Sequence, residues 1–186
     1  MSASLEQSSQ IQPSWWEGLE SYWREPAWFA LYTRSRHEQV VKTQLDRKEI
    51  ENYLPMYIRQ SQWKDRMKQI PFPLFPGYLF VRIPLLERME VLKVQGAVQL
   101  IGDGKHPLPV PDDQILNLKS CVEGGLKFDP WPYLTVGNRV RVKDGPFAGL
   151  EGILLRKKGS SRLVISIDLI QRSLAIEIEG WRIEPA

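Results

Sequence analysis

The chain is poor in the residues that carry most protein chemistry. It has one cysteine, Cys121, and two histidines, His37 and His106. A single thiol forbids an internal disulfide framework and fits a reducing compartment. The two histidines lie far apart in sequence, and neither stands in a nucleophile or metal-ligand motif. No glycine loop of the Walker or dinucleotide type is present, and Gly102–Asp103–Gly104 reads as a turn. No catalytic residue, metal or cofactor is therefore assigned, and an enzyme is not expected. Long apolar runs are missing too: nothing approaches the ~20 residues that cross a bilayer. No basic stretch leading into an apolar core opens the chain. The expectation is a cytoplasmic protein without membrane contact.

Charge of one sign is also scarce. The formal net charge is +3, too small to name a nucleic acid as partner by itself. Its distribution says more. Arg34, Arg36, Lys42, Arg47 and Lys48 cluster early, and Arg59, Lys64, Arg66 and Lys68 soon after. Such clusters are either solvated faces or phosphate-facing patches.

What the chain does have is an apolar, aromatic stretch, Pro73–Leu74–Phe75–Pro76–Gly77–Tyr78–Leu79–Phe80–Val81–Arg82. Phe75–Pro76–Gly77–Tyr78 reads as a turn, because Pro presets φ and Gly tolerates conformations closed to other residues. Tyr78 to Ile83 reads as a strand. Alternation puts Leu79, Val81 and Ile83 on one face and Tyr78 and Phe80 on the other. With polarity only at Arg82, the strand is either covered on both faces or carries an exposed aromatic patch.

Residues 1–26 read as a flexible N-terminal extension, polar at first and then holding Trp15 and Trp16, with Trp16, Leu19 and Trp23 at helical spacing. Residues 27–123 read as one domain. It has a strand from Trp28 to Thr33, a helix from about His37 to Lys48 facing a sheet with Val41 and Leu45, and a strand from Tyr53 to Arg59. A polar, basic turn region at Gln60–Gln69, read as the tip of a hairpin and containing Trp63, precedes the strand at Tyr78–Ile83. A helix then runs from Pro84 to about Lys93, with Leu85, Met89 and Leu92 in one stripe. A strand over Val98–Ile101 follows. Pro111–Asp112–Asp113 opens a last helix, with Ile115, Leu118 and Val122 inward and Gly124–Gly125 stopping it. Residues 124–134, rich in Pro and without periodicity, read as a linker. Residues 135–186 change to short alternating strands: Arg139–Lys143, Gly152–Lys157, Leu163–Asp168, Leu174–Ile178 and Trp181–Ile183. Lys158–Gly159–Ser160–Ser161 is expected to turn a hairpin, and the set suggests a small barrel. The fold class expected is α+β, an α/β sandwich linked to a β-barrel.

Three motifs carry a resemblance. Trp28–Phe29–Ala30–Leu31–Tyr32–Thr33–Arg34–Ser35–Arg36–His37–Glu38 resembles the opening strand and helix of the NusG family of transcription elongation factors. Pro73 to Arg82 resembles that family's signature strand, and Asp144–Gly145–Pro146–Phe147–Ala148–Gly149–Leu150–Glu151–Gly152 its KOW motif. They occur in family order and span roughly residues 27–186. The resemblance implies an NGN-type first domain and an SH3-like KOW barrel. It further implies docking of the first domain on the clamp helices of RNA polymerase through an apolar depression beside the signature strand. Phe75, Tyr78 and Phe80 are assigned to that contact, with Pro76 and Gly77 shaping the turn. It places Arg34 and Arg36, with Arg47 and Lys48 further along, on the side that in family members lies near upstream or non-template DNA. In the barrel, Gly145, Gly149 and Gly152 would form a tight loop around Pro146 and Phe147. That loop region contacts a small-subunit ribosomal protein or the termination factor Rho in family members. Phe147 itself either plugs the barrel mouth or anchors a partner. A monomer is the family's usual form.

Other features resemble specialised antiterminators of the UpxY or RfaH kind rather than general factors. They are Trp63–Lys64–Asp65–Arg66, Ile167–Asp168–Leu169–Ile170–Gln171–Arg172–Ser173, and the aromatic extension. One specialised member refolds its second domain from a helical hairpin. Here Val164, Ile165, Ile167, Ile176 and Ile178 favour strand, so a barrel without a helical state is expected. The function implied is suppression of pausing and termination on elongating polymerase, with the barrel recruiting a second partner. The alternative is an RNA-binding or ribosome-associated KOW protein, which leaves Phe75–Phe80 without a task.

Overall fold

A computed structural model describes residues 21–63, 66–124, 128–131, 137–145, 147–157, 160–178 and 181–186. The first unit is built on β1 (Ala27–Thr33) and β5 (Tyr78–Ile83), paired antiparallel at the centre of a sheet. β2 (Asn52–Tyr53) borders β5, while β6 (Ala97–Leu100) and β7 (Pro109–Val110) both pair with β1. The register sets Phe29 opposite Val81 and Leu31 opposite Leu79, with Ala30 opposite Phe80 and Tyr32 opposite Tyr78 in the alternate rows.

Both rows are covered. Helix α1 (Glu38–Arg47) lays Val41 and Leu45 against Phe29, Leu31, Leu79 and Val81. A 3₁₀ turn at Leu85–Glu87 and helix α2 (Arg88–Leu92) add Leu85 and Val91 to that side. On this short helix Val91 is buried and the expected stripe residue Met89 is exposed, because the 3₁₀ turn offsets the helical phase. Helix α3 (Asp112–Glu123) closes the opposite side, setting Ile115, Leu118 and Cys121 among Trp28, Ala30 and Phe80. Val122, expected to face inward, is only partly buried. Burial of an aromatic or large aliphatic side chain stabilises by roughly 1.5–3 kcal/mol. The central pair β1–β5, buried on both faces, is thus a main source of the first unit's stability.

Strands β3 (Met56–Trp63) and β4 (Arg66–Pro73) form a separate two-stranded sheet with eight registered pairs. The expected turn at Gln60–Gln69 is therefore mostly strand. Leu54–Pro55 separates β3 from β2 and splits the strand expected over Tyr53–Arg59.

The C-terminal unit is an antiparallel sheet of six strands. It contains β8 (Phe128–Trp131), β9 (Asn138–Val142), β10 (Glu151–Lys157), β11 (Ser160–Ile167), β12 (Arg172–Glu177) and β13 (Ile183–Pro185), in the order β13-β9-β10-β11-β12-β8. Leu163, Ile165, Ile167, Leu174 and Ile176 fill its interior. Residues 151–157, 160–167 and 172–177 are strand, as their β-branched content requires. The linker is the main departure. Phe128–Trp131 is not a tether but an edge strand, with Phe128 opposite Ile176 and Trp131 opposite Ser173. Pro130 is tolerated there because an edge strand has one row of unpaired groups. The turn expected at Lys158–Gly159 lies outside the described residues, as do Gly125, Trp15, Trp16 and Leu19. Of the extension, residues 21–24 are helical. There the Tyr22 hydroxyl donates to the Pro107 carbonyl, and Arg88 lies 5.2 Å from the Trp23 ring centroid.

Candidate functional site

The signature turn is pinned from two directions. Gly77 has φ +84°, a conformation that favours glycine. Its carbonyl accepts from the Thr33 N–H at 2.8 Å, which ties it to the end of β1. Its own N–H donates to Oε1 of Glu38 at 2.7 Å. Glu38 is 6% exposed and sits in the first turn of α1, so a buried carboxylate locks the turn to the helix. Tyr78 N–H closes the turn on the Phe75 carbonyl at 3.0 Å.

This geometry sorts the aromatic residues. Phe75 and Phe80 are 2% and 0% exposed, with ring centroids 6.4 Å apart in an edge-to-face contact. Expected as surface contacts, they are core in this structure, because α3 covers their side of the sheet. Tyr78 remains half-buried and Pro76 exposed. Tyr32, 39% exposed, joins them, its ring 5.4 Å from that of Tyr78. A Cβ on Gly77 would lie 3.2 Å from the Tyr32 ring, so glycine is also what lets the turn pack against Tyr32. The accessible patch is therefore Tyr32, Pro76 and Tyr78. Tyr32 and Glu38 were missed as site residues. Both lie in the opening motif, and only the β1–β5 register brings them to the turn.

On the covered side, Lys119 of α3 places its ammonium 4.7 Å from the Trp28 ring centroid and 5.3 Å from that of Tyr53. Burial, and secondarily the charge of Glu123, raises the Tyr53 phenol above its ordinary range. Burial pushes the Cys121 thiol up to about 12, so it is a neutral core group at physiological pH.

The basic residues do not form one patch. Arg34 and Arg36 are exposed before α1, whereas Arg47 ends the helix and Lys48 follows it, roughly 15 Å away. Lys48 is engaged with the Glu90 carboxylate at 2.8 Å and the Glu90 carbonyl at 3.2 Å. Hydrogen bonds from Lys48 and Lys93 hold the Glu90 carboxyl down to about 2.

In the C-terminal unit, Gly145 and Gly149 have φ +85° and +89°, and a Cβ on either would meet nothing within 4 Å. Phe147 between them is half-buried. Its ring stacks on Trp181 at 5.4 Å with an interplanar angle of 5° and reaches Gly124 at the end of α3. Gly152 is not in the loop. It lies within β10 opposite Val140, where a Cβ would come 2.6 Å from the Val164 carbonyl oxygen. Pro146 lies outside the described residues. The two units touch: Gln114 of α3 donates to Asp168 Oδ2 at 2.9 Å and accepts from the Asp168 N–H at 3.2 Å. Tyr57 and Phe128 rings approach to 6.3 Å.

A family model described as transcription termination factor nusG matches residues 26–119. A transcription termination/antitermination protein NusG of Staphylococcus aureus strain N315 is 30% identical over 174 residues, 84% of this chain and 94% of that protein. The chain belongs to the NusG family. The Lactococcus lactis NusG is 26% identical over 177 residues, covering 86% of this chain and 93% of its own length. A solved structure described as domain interaction in Thermotoga maritima NusG shares the fold, with TM-score 0.50 at 18% identity over 87% of this chain and 97% of that one. The chain is thus a NusG-type transcription factor and not an enzyme. Among the described residues, no three His, Cys, Asp or Glu side chains are grouped to hold a metal. No helix of the described residues is long and apolar enough to cross a membrane.

Proposed function

We propose that this NusG-family chain binds elongating RNA polymerase through its first unit, suppresses pausing and termination, and uses the C-terminal unit to recruit a second partner. The observation that supports it best is the Tyr32–Pro76–Tyr78 patch on a turn locked by Glu38. Paired aromatic rings on a rigid mount lose little freedom on binding, and such anchors dominate interface energies. The polymerase clamp helices are the proposed partner of this patch. Arg34 and Arg36 are the cations proposed to face non-template DNA. Arg47 and Lys48 sit too far along α1 to share that contact, and Lys48 already has a carboxylate. Gly145, Phe147 and Gly149 are proposed to meet a ribosomal protein or Rho, with Phe147 presenting one edge of its stack on Trp181. The Trp63–Arg66 hairpin and the Ile167–Ser173 segment favour a specialised antiterminator, and a cytoplasmic location fits the whole reading.

The deciding experiment measures binding of the full chain to core RNA polymerase, comparing wild type with a Tyr32→Ala, Tyr78→Ala variant. A loss of at least tenfold with an unchanged melting temperature is expected. Equal binding by both proteins would move the contact elsewhere. No binding by wild type would overturn the reading in favour of a ribosome-associated KOW protein.

A further inference from the structure

We infer that Glu38 is a positioning residue for the DNA contact. Acting through Gly77, it holds the turn that carries Arg34 and Arg36 in the shape that presents both cations to the phosphates of single-stranded DNA. The inference rests on the reading of these arginines as DNA-facing and not on polymerase docking.

Polar side chains are buried where hydrogen bonds hold them. In the first unit, the described residues of this kind are Thr33 and Glu38, 0% and 6% exposed. They flank the segment 34–37, and both are tied to one residue. The Thr33 N–H donates to the Gly77 carbonyl at 2.8 Å, and the Gly77 N–H donates to Glu38 Oε1 at 2.7 Å. Gly77 thus brackets the turn, with its carbonyl on one end and its N–H on the other. Inside the bracket the Thr33 hydroxyl donates to the Arg34 carbonyl at 3.2 Å. The Arg34 N–H donates to the Gly96 carbonyl at 2.8 Å, and the His37 N–H to the Arg34 carbonyl at 3.1 Å.

Arg36 shows what the bracket does. Its φ is +61°, in the left-handed region that a residue other than glycine seldom adopts. Such a conformation persists where the surroundings over-determine it, and it gathers at functional sites. Arg34 and Arg36 are exposed, and neither is in an ion pair among the described residues. Cations held in place lose little freedom when phosphates arrive. An acidic residue at a helix start ordinarily serves its own helix. Here the N-cap of α1 makes no side-chain hydrogen bond, and Glu38 reaches across to the turn before β5.

Charge and positioning predict opposite signs. If charge decided, removing a carboxylate two residues from Arg36 would strengthen phosphate binding. If the bond to Gly77 decides, removal weakens it.

The test is fluorescence anisotropy of the full chain with a labelled DNA single strand of about 15 nucleotides, at low salt, where phosphate contacts are strongest. Glu38→Ala is expected to bind about fivefold more weakly than wild type, and Glu38→Gln, which keeps the acceptor oxygen without the charge, within about twofold of it. Binding by Glu38→Ala as tight as wild type or tighter would overturn the inference. So would equal weakening in both variants, since the acceptor alone would then not matter. Should Glu38→Ala melt below the assay temperature, Thr33→Val replaces it, removing one brace at nearly constant volume. Wild-type affinity in that variant would likewise overturn the inference. An Arg34→Gln, Arg36→Gln variant separates the two levels. If it binds like wild type, or wild type does not bind, the DNA-facing reading fails and the inference with it. If it is weakened while Glu38→Ala is not, the inference alone fails.

Discussion

The turn at Gly77 and the loop at Gly145–Gly149 both rest on glycines with positive φ, yet they are built on opposite plans. Gly77 is gripped by Glu38 and Thr33 and packed against Tyr32. Gly145 and Gly149 face open space, and their loop is closed by backbone bonds such as Gly149 N–H to the Val142 carbonyl at 2.9 Å. In the first case the glycine is needed for its conformation and for its lack of a side chain. In the second, conformation alone is at stake. The first surface is thereby a rigid mount whose chemistry is fixed by distant residues. The second is a local loop whose two glycines are needed for backbone angle and not for close packing.

The largest effect that would break this contrast lies beneath the first turn. Phe80→Ala is expected to cost about 3–5 kcal/mol in urea unfolding, since the ring is fully buried against α3. A cost below about 1 kcal/mol would mean that the ring is a surface group after all. Next come the glycines themselves. Gly149→Ala should cost about 1–2 kcal/mol from backbone conformation. Gly77→Ala should cost about 1 kcal/mol more, from crowding against Tyr32. Equal costs measured by denaturation would erase the distinction between the two turns. The smallest effect concerns the salt links beside α1. The Glu90 carboxyl is held at about 2 when folded, against an ordinary 4.5. Its contribution is present above about pH 4.5 and disappears as pH falls toward 2. Melting temperatures of wild type and Glu90→Gln should therefore differ slightly at pH 6 and converge near pH 2. A gap that widened on acidification would reverse the assigned sign.

Much of this was legible from local pattern. Val41 and Leu45 four apart identified the buried stripe of α1, and β-branched residues marked β11 and β12. The aromatic face of β5 was not decidable locally, because its cover, α3, begins thirty residues later. Glu38 read as an ordinary acidic residue at a helix start, favoured there by the helix dipole. Nothing in its neighbourhood says that it reaches a glycine on another strand. The strands of the β3–β4 hairpin run further into Gln60–Gln69 than the expected hairpin tip allowed, for a physical reason. A two-stranded sheet that pairs with no other has little apolar cover, so its sequence lacks the alternation that marks a half-buried strand. Phe128–Trp131 failed similarly, its prolines signalling a tether where one of them sits in an edge strand.

That edge strand also sets the length of the leash between the units. Only residues 125–127 separate Gly124 from Phe128, and three residues of chain span about 10 Å at full stretch. With β8 in place, whatever grips the C-terminal unit is held at high local concentration beside the first. Were β8 to peel away, the segment 125–137 would become available, roughly 45 Å when extended. A partner could then be sought across a volume many times larger, at the cost of one short row of hydrogen bonds and of the Tyr57–Phe128 and Gln114–Asp168 contacts between the units.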